Sequence, residues 1–169
     1  MRIGFWGSCT AAVVALGALP AGAQVVHNGA PAAFISTSVR VPAGATTLYV
    51  SGMLADPLDP AHPDGDHGDT EVQTRSVLRK LNAELAKNGM GPGDVVMMRV
   101  LLVAPPGSPK MDFAGMMRAY KEVYGTAAQP GKPARIASQI AALAAPWGLV
   151  EIEVQAARVM PMGTMRIVQ

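Results

Sequence analysis

The sequence predicts an α+β domain of two layers, a mixed β-sheet with two helices packed on one face, in the order ββαβαββ. Three observations predict it. Two long segments, 71–88 and 110–124, carry apolar residues at helical spacing. Around them lie short β-branched or alternating segments, of which VEIEVQAA at 150–157 is the cleanest. Gly- and Pro-rich stretches separate these pieces. A length of 169 residues suits one such domain.

Residues 24–33 read as a loosely held arm. Phe34 to Val41 partly alternates, and Thr46 to Ser51, TTLYVS, is β-branched and aromatic. The turn Pro42-Ala43-Gly44-Ala45 joins the two as an expected hairpin. Residues 52–69 form a long loop rich in Pro, Gly and Asp. Thr70 reads as the N-cap of a helix over Glu71–Asn88, with Glu71 in its first turn. Leu78, Leu81 and Leu85, with Val77, give that helix one apolar face, and Asn88-Gly89 stops it. Asp94 to Val103 is almost continuously apolar and reads as a central strand covered on both faces. In the second helix, Lys110 to Tyr124, the stripe Phe113, Met116, Met117, Tyr120 and Tyr124 is expected to be core. Ala134–Ile140 and Val150–Ala157 complete the strands. Helices on one face leave the other face of the sheet open, which implies oligomerisation through it.

Composition narrows the function classes. Hydrophobic residues make up 50 % and charged residues 15 %, with a mean hydropathy of +0.24, which excludes a disordered chain. A net charge of +2 argues against a nucleic-acid binder driven by a basic surface. A single cysteine excludes a disulfide framework and cysteine-rich zinc modules. Residues 1–23 have the layout of a secretory signal peptide: Arg2, the apolar run Thr10–Leu19, then Ala21-Gly22-Ala23 before Gln24. Its removal would take away Arg2 and Cys9, so the expected product is a cysteine-free protein, periplasmic or secreted, with no stable membrane insertion. The domain then spans 24–158, with a Met-rich tail at 159–169.

No nucleophile elbow, catalytic cysteine or phosphate-binding glycine loop is present. The 52–69 loop and the helix start hold Asp56, Asp59, Asp64, Asp66, Asp69 and Glu71, with His62 and His67 among them. That spacing fits no EF-hand and no H-E-x-x-H helix, and reads first as a solvated loop rather than a metal site. The 11 methionines are read as packing rather than copper ligands. Two charged positions stand out. Arg135 is the only charge in ARIASQIAALAA and needs an anionic partner, a structural carboxylate or a ligand. Glu151 and Glu153 share one face of the last strand, opposite Val150, Ile152 and Val154, as either a solvent face or a site.

These pieces resemble the RidA (YjgF-like) family of reactive-intermediate enamine/imine deaminases. The resemblance runs through YVSGM, the helix VQTRSVLRKLNAELAKNGM, GDVVMMRVLLV, MDFAGMMRAYKEVYG, KPARIASQIAAL and VEIEVQAAR, in that order. Pro133-Ala134-Arg135 with a Glu-bearing strand behind it is the most specific part. The resemblance implies a chorismate-mutase-like homotrimer with ligand clefts between subunits. It implies hydrolysis of 2-enamine/2-imine acids to 2-keto acids and ammonia, with no metal and no organic cofactor. By position, Arg135 would bind the substrate carboxylate, Glu151 would place the hydrolytic water, and Ser51 and Gly52 would line the cleft. The family often carries Cys two residues after the arginine and Asn in the second helix. Here these are Ala137 and Met117, and Ser36 or Thr37 stands near the place of a cleft tyrosine. The alternative function is a non-catalytic Rid-like protein that binds small carboxylates or acts as a periplasmic chaperone.

Overall fold

The computed structural model describes residues 24–160. The expected signal peptide and residues 161–169 of the tail lie outside the described residues.

Strand alternation sets the two layers. Along β6 (Val150–Arg158), Val150, Ile152, Val154 and Ala156 are buried, while Glu151, Glu153 and Gln155 occupy the other face. β4 (Val95–Leu102) runs antiparallel to it in register, Val100 opposite Ile152 and Leu102 opposite Val150. β3 (Thr46–Met53) flanks β6 antiparallel, and β5 (Ala134–Gln139) flanks β4 parallel. The order is therefore β3-β6-β4-β5, a mixed sheet. Both helices, α1 (Thr70–Lys87) and α2 (Phe113–Val123), contribute to one core against its buried face.

α1 buries Val77, Leu78, Leu81 and Leu85. Its N-cap is Asp69 rather than Thr70: the Asp69 carboxylate accepts from Val72 N at 2.9 Å, and Thr70 is the first helical residue. Two adjacent cap formers compete there, and the carboxylate, which also suits the helix dipole, takes the position. Gly89 has φ +69°, and Met90 N donates to Leu85 O at 2.9 Å to close the helix. α2 starts later than expected, because the Asp112 carboxylate caps it by accepting from Gly115 N at 2.8 Å. Arg75 joins the helices by pairing with Glu71 of α1 and Glu122 of α2 at 2.9 and 2.7 Å, and Arg118 returns to Glu71 at 2.5 Å.

Four expectations are corrected. The arm contains a strand, β1 (Val26–Asn28), which pairs antiparallel with β2 (Ser38–Arg40). The expected hairpin between the 34–41 segment and β3 is not made. The chain just before β2 is docked at the β5 edge, where Ser36 bridges Ala134 and Ser36 N donates to Pro133 O at 3.0 Å. β3 lies at the opposite edge of that sheet, so β2 takes β1 as its partner. β4 is central but covered on one face only within the chain: Met97, Arg99 and Leu101 face the open side. That side also carries Tyr49 and Ile136, 73 % and 49 % exposed. Finally, Phe113 leaves the core at 43 % exposure, whereas Met116, Met117, Tyr120 and Tyr124 are buried.

The 54–69 loop is anchored rather than free. His67 is buried, stacks on Trp147 with ring centres 3.4 Å apart, and donates from Nδ1 to Gly65 O. His62 instead pairs with Asp59 on the exposed side. The two histidines thus go separate ways, and among the described residues no three metal-ligating side chains converge. Among the described residues no helix is long and apolar enough to cross a membrane.

Candidate functional site

β5 is an edge strand whose residues alternate between the helix side and the open side. Arg135 lies opposite Met98, which is fully buried beneath the helices, so its side chain enters the seam between β5 and α2. There its guanidinium carbon sits 4.3 Å from the Tyr120 ring centre and 5.9 Å from that of Phe113. Nη2 lies 3.2 Å from the Met117 sulfur, and Nη1 lies 4.0 Å from that of Met116. Aromatic faces and thioethers solvate a cation weakly and do not neutralise it. Burial accordingly lowers the Arg135 pKa from its ordinary value.

Among the described residues no carboxylate pairs with Arg135. Arg75, Arg79, Arg99, Arg118 and Arg158 each hold at least one. A half-buried cation without a paired carboxylate is chemically suited to an anionic ligand.

A pocket of about 510 Å³ opens over this group. Phe34, Ile35, Phe113 and Met117 form its walls, with Arg118 and Lys121 at the rim. The Phe34 segment is fixed by Tyr120, whose hydroxyl donates to Phe34 O at 3.0 Å, and Lys121 Nζ lies 4.0 Å over the Phe34 ring. Burial pushes the Tyr120 hydroxyl up to about 12, so it remains a neutral donor. Behind them Lys132 Nζ donates to Pro31 O and Ala33 O at 2.9 and 2.7 Å, which straps the arm against the loop before β5.

The other predicted site residues gather on the opposite face. Glu151 pairs in register with Leu101 on the open side. β3 is irregular between Val50 and Met53, and Ser51 and Gly52 lie in that irregularity. A Cβ on Gly52 would fall 2.0 Å from Glu151 Oε1, so the glycine makes room for the carboxylate. Glu153 is committed to Arg99 at 2.6 Å, and Glu151 has no partner among the described residues. The chain thus brings Ser51, Gly52 and Glu151 together, but places Arg135 across the sheet from them. Sequence reasoning missed Phe34, Phe113 and Lys121. Its one usable signal was the 113, 117, 121 spacing, which continues the stripe onto a single α2 face.

Residues 29–158 match the family described as Endoribonuclease L-PSP. The chain belongs to that family. Solved structures extend the likeness. RidA from the Antarctic bacterium Psychrobacter sp. PAMC 21119 is 29% identical, with a TM-score of 0.52 over 76% of this chain and 94% of that one. YyfB of Yersinia pestis, a protein of unknown function in the conserved Rid protein family, is 26% identical, with a TM-score of 0.54 over 80% and 98%. An uncharacterised protein from Pseudomonas aeruginosa is 26% identical, with a TM-score of 0.52 over 80% and 99%. No curated protein matches. The α+β fold and the RidA resemblance read from the sequence are both borne out by this family membership.

Proposed function

We propose that the protein hydrolyses reactive 2-imino and 2-enamino acids to 2-keto acids and ammonia. The observation that carries this reading is Arg135: a half-buried guanidinium at the floor of a pocket, without a carboxylate partner among the described residues. It would hold the substrate carboxylate through paired hydrogen bonds. The imine carbon is already electrophilic. Water adds to it, Glu151 accepts the water's proton, and the resulting carbinolamine expels ammonia to leave the keto group. No covalent nucleophile is required.

Because Arg135 and Glu151 occupy opposite faces of one sheet, they serve the same substrate only if they come from two copies. A homotrimer that covers the open face, with its Tyr49 and Ile136, meets that requirement and puts clefts between subunits. Ser51 and Gly52 then line the cleft beside Glu151. The layout of residues 1–23 supports export to the periplasm or beyond.

A second reading, carboxylate binding without turnover, is favoured by one observation. The pocket of the single chain has no proton acceptor on its walls, and Ala137 and Met117 add none. Mixing two variants separates the readings. Arg135→Ala and Glu151→Gln are each expected to lose imine hydrolysis, measured with an amino-acid oxidase generating the imine. Trimers assembled from both are expected to regain part of it. Full activity in either variant alone contradicts the deaminase reading, and ligand binding with no turnover in the wild type supports the second.

A further inference from the structure

We propose that the Arg135 pocket selects carboxylates with an apolar side chain of branched-aliphatic or aromatic size, and that Met117 sets this preference. The proposal rests on the imino-acid reading above and concerns which acids the site takes.

Phe113, Ala114, Met117, Arg118 and Lys121 fall on one face of α2 and all line the pocket. Met117 is the member that touches the anchor. A carboxylate gripped by Arg135 therefore has its next carbons beside the Met117 thioether, with Phe113 one turn away and Phe34 and Ile35 across from it. Within one chain, no uncharged polar side chain lines this space. Of the two rim cations, Arg118 holds Glu71 at 2.5 Å, while Lys121 lies over the Phe34 ring and is the rim group that a second anionic group could reach. Along the Met117, Phe113, Phe34 and Ile35 walls a second polar group on the ligand would lose water without gaining a partner. A volume of about 510 Å³ is ample for a phenyl or isobutyl group, and a methyl group would leave most of the apolar wall unfilled.

The test uses stable 2-oxo acids as probes, with affinity measured by calorimetry on the wild-type protein. Three more buried carbons should make 4-methyl-2-oxopentanoate bind at least about tenfold tighter than pyruvate. Phenylpyruvate should follow the apolar acid, and 2-oxoglutarate should bind more weakly. Met117→Gln keeps the length but puts an amide on the wall, and should reduce the ratio between 4-methyl-2-oxopentanoate and pyruvate by about threefold or more. Two results overturn the preference while leaving the Arg135 anchor standing. One is pyruvate binding within about twofold of the apolar acid, with both lost in Arg135→Ala. The other is 2-oxoglutarate binding tightest and losing that advantage in Lys121→Ala. Acid binding unchanged by Arg135→Ala overturns the anchor and the preference together.

Discussion

The Met117 sulfur lies 3.2 Å from Nη2 of Arg135, so a thioether occupies the place beside the guanidinium where a carboxylate would neutralise it. The sulfur accepts too weakly to compete with an anion. It keeps the cation positioned and leaves it available.

The same contact makes the site sensitive to oxidation. Peroxide transfers one oxygen atom to the Met117 sulfur and leaves water, and the sulfoxide oxygen is a far stronger acceptor. Arg135 should then donate to it in place of the ligand. Met116 is fully buried and should be spared. We expect mild peroxide treatment to add one oxygen at Met117 by peptide mass spectrometry and to weaken 4-methyl-2-oxopentanoate binding about tenfold. The Met117→Leu protein should keep its own affinity through the same treatment. Unchanged binding in a fully oxidised wild type would refute this.

Gly52→Ala should separate chemistry from folding. Its Cβ would meet Glu151 Oε1 at 2.0 Å, and a flexible carboxylate end can swing away. The melting temperature should change little, while the turnover rate falls about tenfold or more because the proton acceptor is displaced. Comparing thermal unfolding with the coupled assay checks this. Equal losses of stability and activity would make the glycine a structural requirement only.

Gln73 anchors the long loop. Its amide nitrogen donates to Gly68 O at 3.1 Å and Trp147 O at 3.2 Å, and its amide oxygen accepts from Leu149 N at 2.8 Å. The residue is fully buried, so Gln73→Ala leaves these backbone groups without partners and should cost about 1–3 kcal/mol in urea unfolding. Proteolysis within 54–69 should accelerate in parallel.

Acid should loosen the helix pair. Arg118, then Arg75, hold the Glu71 carboxyl below its ordinary 4.5, and Arg75 does the same to Glu122. A carboxylate with a lowered pKa adds stability that is present above its unfolded value and disappears as the pH falls through the folded one. Melting temperature should therefore drop as the pH falls through and below the ordinary carboxylate range, and the double variant Glu71→Gln, Glu122→Gln should show a shallower drop. These pairs are exposed, so the slope is modest and should weaken in salt. An identical slope in the double variant would remove this network from the acid response.

Where local pattern decides structure, the sequence was readable. The alternation of VEIEVQ places Glu151 and Glu153 opposite the core because the strand period is two. Leu78, Leu81 and Leu85 mark the buried face of α1 for the same kind of reason. The β2–β3 hairpin failed because partner choice is long-range. A bridge from Ser36 to Ala134, nearly a hundred residues on, fixes where β2 can go. Phe113 was misread as core because apolar periodicity cannot tell a core face from a pocket wall. Arg135 was legible as a cation in need of an anion, since an isolated charge in an apolar segment carries that demand itself. That no carboxylate of the described chain meets it, and that Glu151 lies across the sheet, depended on register and required the structure.

The most direct measurement is the rate of keto-acid release from an imine generated by an amino-acid oxidase, with the wild-type protein and with Arg135→Ala. The account predicts clear acceleration by the wild type, lost at least about a hundredfold in Arg135→Ala while the variant stays folded. Undiminished acceleration by a folded Arg135→Ala protein would contradict it.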